Sequence, residues 1–103
     1  MNQEVGKCVP LICQHFQLPE NELALETSDF SELEHKLAII IGRLLNSDMD
    51  RLMAAFYKID LDEGKFKQII STAPPADISI LLAKEVIKRE LLKVETREKY
   101  KDF

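Results

Sequence analysis

SELEHKLAIIIGRLL, residues 31–45, decides the fold class. Leu33, Leu37, Ile40, Ile41 and Leu44 recur at i, i+4, i+7, i+8 and i+11, the rhythm of one helical face and not the alternation of a strand. Ala38 and Leu45 join them in an apolar stripe about 160° wide at 100° per residue. Ser31 with Glu34 makes the S-x-x-E pattern of a capping box, which predicts a helix over 31–45. Ile39 and Gly42 lie well outside the stripe, with His35 between them. A second, small packing face is expected there, with Gly42 letting another backbone come close at roughly 1 kcal/mol of propensity.

Downstream the same rhythm repeats between tight corners. Ser47 is placed to cap a helix over 48–58, with Asp48 and Asp50 in its first turn and Leu52, Met53, Phe56 and Tyr57 as its packing side. Asp60 with Glu63 makes a further cap-like pair before a helix over 62–71, whose buried side is Phe66, Ile69 and Ile70. Pro74 and Pro75 break the chain, and a long last helix over 76–99 follows. Its first half is apolar on two sides, with Ile80, Ala83 and Ile87 against Ile78, Leu82 and Val86, and Leu81 to the side. A helix apolar nearly all round is buried nearly all round. Leu91 and Val94 continue the main stripe, but the other face turns to Arg89, Lys93 and Arg97, with Lys101 next in spacing. The helix is expected to leave the core at about Arg89.

Upstream, residues 1–27 are less regular. Pro10 suits the first turn of a short helix over 9–16, which should stop before Pro19. Residues 19–27 are open to a loop, a helical turn or an extended piece. The whole chain is expected to form one all-α domain over 1–103, an irregular bundle of four to five helices with short connections.

Composition narrows the function classes. The chain of 103 residues is 46% hydrophobic and 31% charged, a globular balance that can fill one core. The formal charge is −4, which argues against generic nucleic-acid binding. The basic residues gather toward the end of the chain. No apolar run reaches the roughly 20 residues of a membrane span. Lys7 before CVPLIC resembles a signal peptide only until Gln14 and His15 end the run, so a cytoplasmic location is expected. Cys8 and Cys13 lack framework spacing and are expected as thiols.

No constellation names a chemistry. Cys8, Cys13, His15 and His35 lack the second close pair a zinc site needs, so no metal is expected. Asp60, Asp62 and Gly64 fail the calcium-loop pattern, because Lys65 and Ser71 stand where Gly and Glu are required. Nucleophile, base and orienting group are not grouped, and the glycines are isolated, so neither an enzyme nor a cofactor is expected. Two features remain. One is the basic row Arg89, Lys93 and Arg97. Charge pairing along the helix explains it as a solvated face, and an acidic partner is the functional alternative. The other is the apolar surplus at Ile39, Leu82 and Val86, which either the N-terminal segment or another chain must cover. These six residues are the candidate interaction surface. They point to a non-enzymatic protein-interaction or regulatory module whose partner is another protein or its own copy as a homodimer. One alternative is a small enzyme or ligand-binding protein with a pocket near His35, Tyr57 and Asp60. Another is a nucleic-acid binder through the last helix, where Tyr100 is the one nearby aromatic.

LMAAFYKIDLDE over 52–63 and AKEVIKRELLKVETR over 83–97 together resemble a group of small, uncharacterised bacterial helical proteins. The resemblance covers about residues 33–100. It rests on Tyr57, Lys58, Ile59 and Asp60 at the corner and on Arg89, Glu90, Lys93 and Arg97 in the last helix. It implies a bacterial cytoplasmic protein and no particular activity.

Overall fold

A computed structural model describes residues 3–27 and 29–100, and the side chains of Gln3, Glu20 and Tyr100 are outside that description. Ser28, Lys101 and the Tyr100 ring therefore lie outside the described residues. The described chain is all-α, an irregular bundle of five helices: α1 (Gln3–Phe16), α2 (Phe30–Ser47), α3 (Met49–Ile59), α4 (Glu63–Thr72) and α5 (Ile78–Tyr100). Short 3₁₀ turns over Glu20–Leu23 and Pro75–Asp77 lead into α2 and α5. Four helices match the expected positions within a residue or two. The first does not.

α1 begins at Gln3, six residues before the expected start, and carries Pro10 inside it. A proline there removes one helical N–H, which residue 6 would have accepted. Gly6 and Pro10 are both exposed, so water can take the place of that donor. Val5, Cys8, Ile12, Cys13 and Phe16 are buried on the opposite side at i, i+3, i+7, i+8 and i+11. Burial of that stripe outweighs the proline. The helix ends with Gln17 in the left-handed region (φ 56°), and the Leu18 N–H donates to the Cys13 carbonyl at 2.9 Å. Arg51, from the first turn of α3, donates to the carbonyls of Phe16 and Gln17 and so caps α1 with a cation.

The caps fall beside the expected ones. Asp29, not Ser31, caps α2 by accepting from the Glu32 N–H at 2.7 Å. Asp48, not Ser47, caps α3 by accepting from the Arg51 N–H at 3.1 Å. Asp62, not Asp60, caps α4 through the N–H groups of Gly64 and Lys65. Asp60 instead ends α3 in the left-handed region (φ 64°), a place Asp tolerates better than most residues. Leu61 closes that corner by donating to the Phe56 carbonyl at 3.0 Å. At α2 and α3 a charged carboxylate takes the place expected of a hydroxyl.

Glu32 also ties down the stretch of chain before α2. Its carboxyl accepts from the N–H groups of Glu26 (2.9 Å) and Thr27 (2.8 Å) and from the Thr27 hydroxyl, with Lys36 at 3.6 Å. The two backbone bonds lead in holding its pKa at about 2, below the ordinary 4.5. A lowered folded-state pKa stabilises the fold above the unfolded value and loses that effect as pH falls toward the folded one. Urea midpoints measured from pH 6 down to pH 2 should therefore fall between about 4.5 and 2, and Glu32→Gln should flatten that part of the curve.

α5 packs against each of the other four helices, and most extensively against α2. Leu82, Ala83 and Val86 are fully buried, as the two-sided pattern required. At Gly42 the two long helices approach closely: a Cβ added there would meet the Ser79 hydroxyl at 3.0 Å. The neighbour is a side chain and not the backbone expected beside Gly42. Gly42→Ala needs only a turn of the Ser79 hydroxyl and regains helix propensity, so its stability should stay within about 1 kcal/mol of wild type. Gly42→Leu wedges α2 from α5 and should cost about 2 kcal/mol in a urea titration.

Candidate interaction surface

Three shallow grooves share lining residues and form one continuous face over α3, α4 and α5. The largest, about 440 Å³, lies at the α3–α4 corner and includes Met53, Phe56, Tyr57, Leu61 and Phe66, with Asp60, Asp62 and Glu63 at its edge. Leu61 and Asp62 continue into a second groove between α4 and α5, which Lys65, Glu85, Lys88, Arg89 and Leu92 complete. Arg89 and Leu92 continue into a third along α5, with Lys93, Thr96 and Arg97. The α3–α4 corner positions the first groove, because left-handed Asp60 turns the chain sharply and leaves Tyr57 outside the core. Tyr57 is 85% exposed, and Leu92 is 49% exposed.

Helical spacing of four puts Arg89, Lys93 and Arg97 on one side of α5, and each has a different setting. Arg89 reaches across to Asp60, Nη2 to Oδ2 at 3.1 Å, and so ties α5 to the corner. Lys93 Nζ lies 3.8 Å from Oε1 of Glu90, one turn earlier. Arg97 makes no ion pair among the described residues. All three line the third groove.

The other three expected residues do not join them. Leu82 and Val86 are fully buried, covered from within the chain. This corrects their placement on the surface: α5 packs against all four other helices, and the apolar surplus there is covered within the chain. Ile39 is 66% exposed, but it lines none of the three grooves. His35 is exposed and lines none of them either. None of these three grooves combines it with Tyr57 and Asp60, although those two residues do share one.

Helical spacing also marks a residue that the reading of the basic row passes over. Positions 83, 86, 87, 90 and 94 follow i, i+3, i+4, i+7 and i+11, and all five are buried. The fourth is Glu90, whose side chain is wholly buried between the basic row and α1. Its Oε1 lies 3.1 Å from Nδ1 of His15. That distance suits an ion pair, but the imidazole N–H is not aligned for a hydrogen bond. Both Glu90 oxygens lack an aligned donor among the described residues. The core therefore continues to Val94, past the expected exit at Arg89. Cys8 shares this seam. Burial leads in pushing its thiol up to about 11, with the carboxylates of Glu90, Glu4 and Glu95 adding to the rise, so it stays protonated and unreactive near neutral pH. Among the described residues no three His, Cys, Asp or Glu side chains come together as metal ligands, and no helix is long and apolar enough to cross a membrane.

No protein-family model, no curated protein and no solved structure matches the chain.

Proposed function

We propose that the protein is a non-enzymatic interaction module that binds a protein partner on the face formed by α3, α4 and α5. The observation that carries this reading is the continuity of the three grooves. Exposed aromatic and aliphatic side chains at one end pass through Leu61 and Leu92 into the basic row at the other. A single exposed Leu or Tyr is ordinary, whereas a joined apolar strip rimmed by charge is what partner surfaces look like. Tyr57 is suited to anchor such a contact, since it offers a large rigid ring and a hydroxyl. The corner motif over 57–60 and the last-helix motif over 89–97 also meet here, because the Arg89–Asp60 pair joins one to the other.

Site-specific photo-crosslinking in cells tests the reading. A photoreactive residue at position 57 or 92 should give one defined protein adduct. The same residue at exposed Gln14, on α1, should not. No adduct at 57 and 92, or equal labelling at all three positions, overturns it.

A further inference from the structure

We infer that the occupant of this face is a second copy of the same chain, paired through a two-fold axis near Leu61 and Leu92. This rests on the interaction reading above and names its partner. The face is dipolar. Its corner end carries Asp60, Asp62 and Glu63 around the apolar groove. Its α5 end carries Arg89, Lys93 and Arg97, and no carboxylate of the described residues lines the groove there. Asp60 and Arg89 answer each other within the chain. Glu63 and Arg97, at the two extremes, make no ion pair among the described residues.

A patch with opposite charge at its two ends is its own complement under a two-fold rotation. Each copy then sets its acidic end on the basic end of the other, and every contact occurs twice. This holds for an axis that crosses the strip, whereas a two-fold running along the strip would lay like charge over like. The apolar middle supplies part of the burial, with Leu61 and Leu92 near the axis facing their symmetry mates, and the exposed Met53 and Tyr57 of the corner end add to it against the α5 end of the other copy. A foreign partner would need the same dipolar layout in the same sense, whereas a second copy carries it already.

Light scattering and sedimentation of the full chain at low salt test the pairing. Wild type should approach twice the 11.8 kDa chain mass as concentration rises. Glu63→Lys alone and Arg97→Glu alone each place like charge against like at both contacts, and each should weaken association roughly tenfold. An equimolar mixture of the two variants should recover it. In the mixed pair the two reversed positions face each other with opposite charge, and the native Glu63–Arg97 contact forms once. Tyr57→Ser with Leu92→Ser should weaken association about a hundredfold. Both side chains are exposed, so helical circular dichroism should not change. A strictly monomeric wild type overturns the inference, and so does a mixture no better than its components. If a monomeric chain still crosslinks from 57 and 92 to a different protein, the second copy is wrong and the interaction reading stands. If it crosslinks to nothing, both fall.

Discussion

Replacing His15 by alanine should lower the unfolding free energy by about 3 kcal/mol, while replacing Glu90 by methionine should leave it unchanged or raise it. The contrast follows from where Glu90 sits. Its side chain is wholly buried, and the cationic partners of its oxygens are His15 Nδ1 at 3.1 Å and Lys93 Nζ at 3.8 Å. Removing a carboxyl from water costs several kcal/mol, and poorly aligned partners repay only part of it. His15→Ala withdraws the nearer partner and leaves the cost. Glu90→Met removes the cost and fills a similar volume. His15 and Lys93 are both partly exposed and can turn to water, so neither becomes a new burden. Urea titrations of the two variants at pH 7 check the pair. A Glu90→Met variant less stable by more than about 2 kcal/mol would show instead that the cluster holds α1 on α5.

Phe56→Ala should be the most damaging single truncation, at about 3–5 kcal/mol. Phe56 stands edge-on between two other rings, 6.2 Å and 84° from Phe16 and 5.5 Å and 64° from Phe66. Through this one side chain α1, α3 and α4 share a core. The aromatic geometry adds about 0.5–1.5 kcal/mol per pair beyond area. Set against a total stability of about 5–15 kcal/mol, the loss takes a large share, and thermal melting should drop by roughly 15 °C or more. Phe66 is only half buried, so Phe66→Ala should cost less than half as much. Because Phe56 also lines the largest groove, Phe56→Leu, which keeps most of the volume, is the variant to use in binding experiments.

Much of this architecture is legible in residues 31–99, where the apolar rhythm is long and the corners are marked by Asp, Ser and Pro. α2 to α5 follow from it. The first helix is hidden by Pro10. Proline in a helix carries a fixed local cost, whereas the gain from burying Val5, Cys8, Ile12 and Phe16 depends on α5 and α3 lying beside them. The caps shift for a related reason. Asp29 and Ser31, Ser47 and Asp48, and Asp60 and Asp62 are competing acceptors within two residues, and only the final backbone path decides between them. Asp60 becomes a left-handed terminator because Leu61 donates back to Phe56. On the candidate surface, Arg89, Lys93 and Arg97 are readable from spacing alone. Leu82 and Val86 are not, because their cover comes from helices that only the tertiary fold brings beside α5. Tyr57 becomes prominent once the corner shows that its neighbours Phe56 and Ile59 face inward and it does not.

The place of α5 in the chain has a consequence for synthesis. The helix against which every other one rests is translated after all of them. While residues 1–77 leave the ribosome, α1 and α2 can meet α3 but lack α5, the element against which α2 packs most extensively. At about 5–20 residues per second, the 23 residues of α5 arrive over roughly 1–5 s. During those seconds the nascent chain exposes apolar surface that the finished protein hides, which is the interval in which a chaperone would meet it. A ribosome stalled within α5 would hold a chain that cannot complete its core.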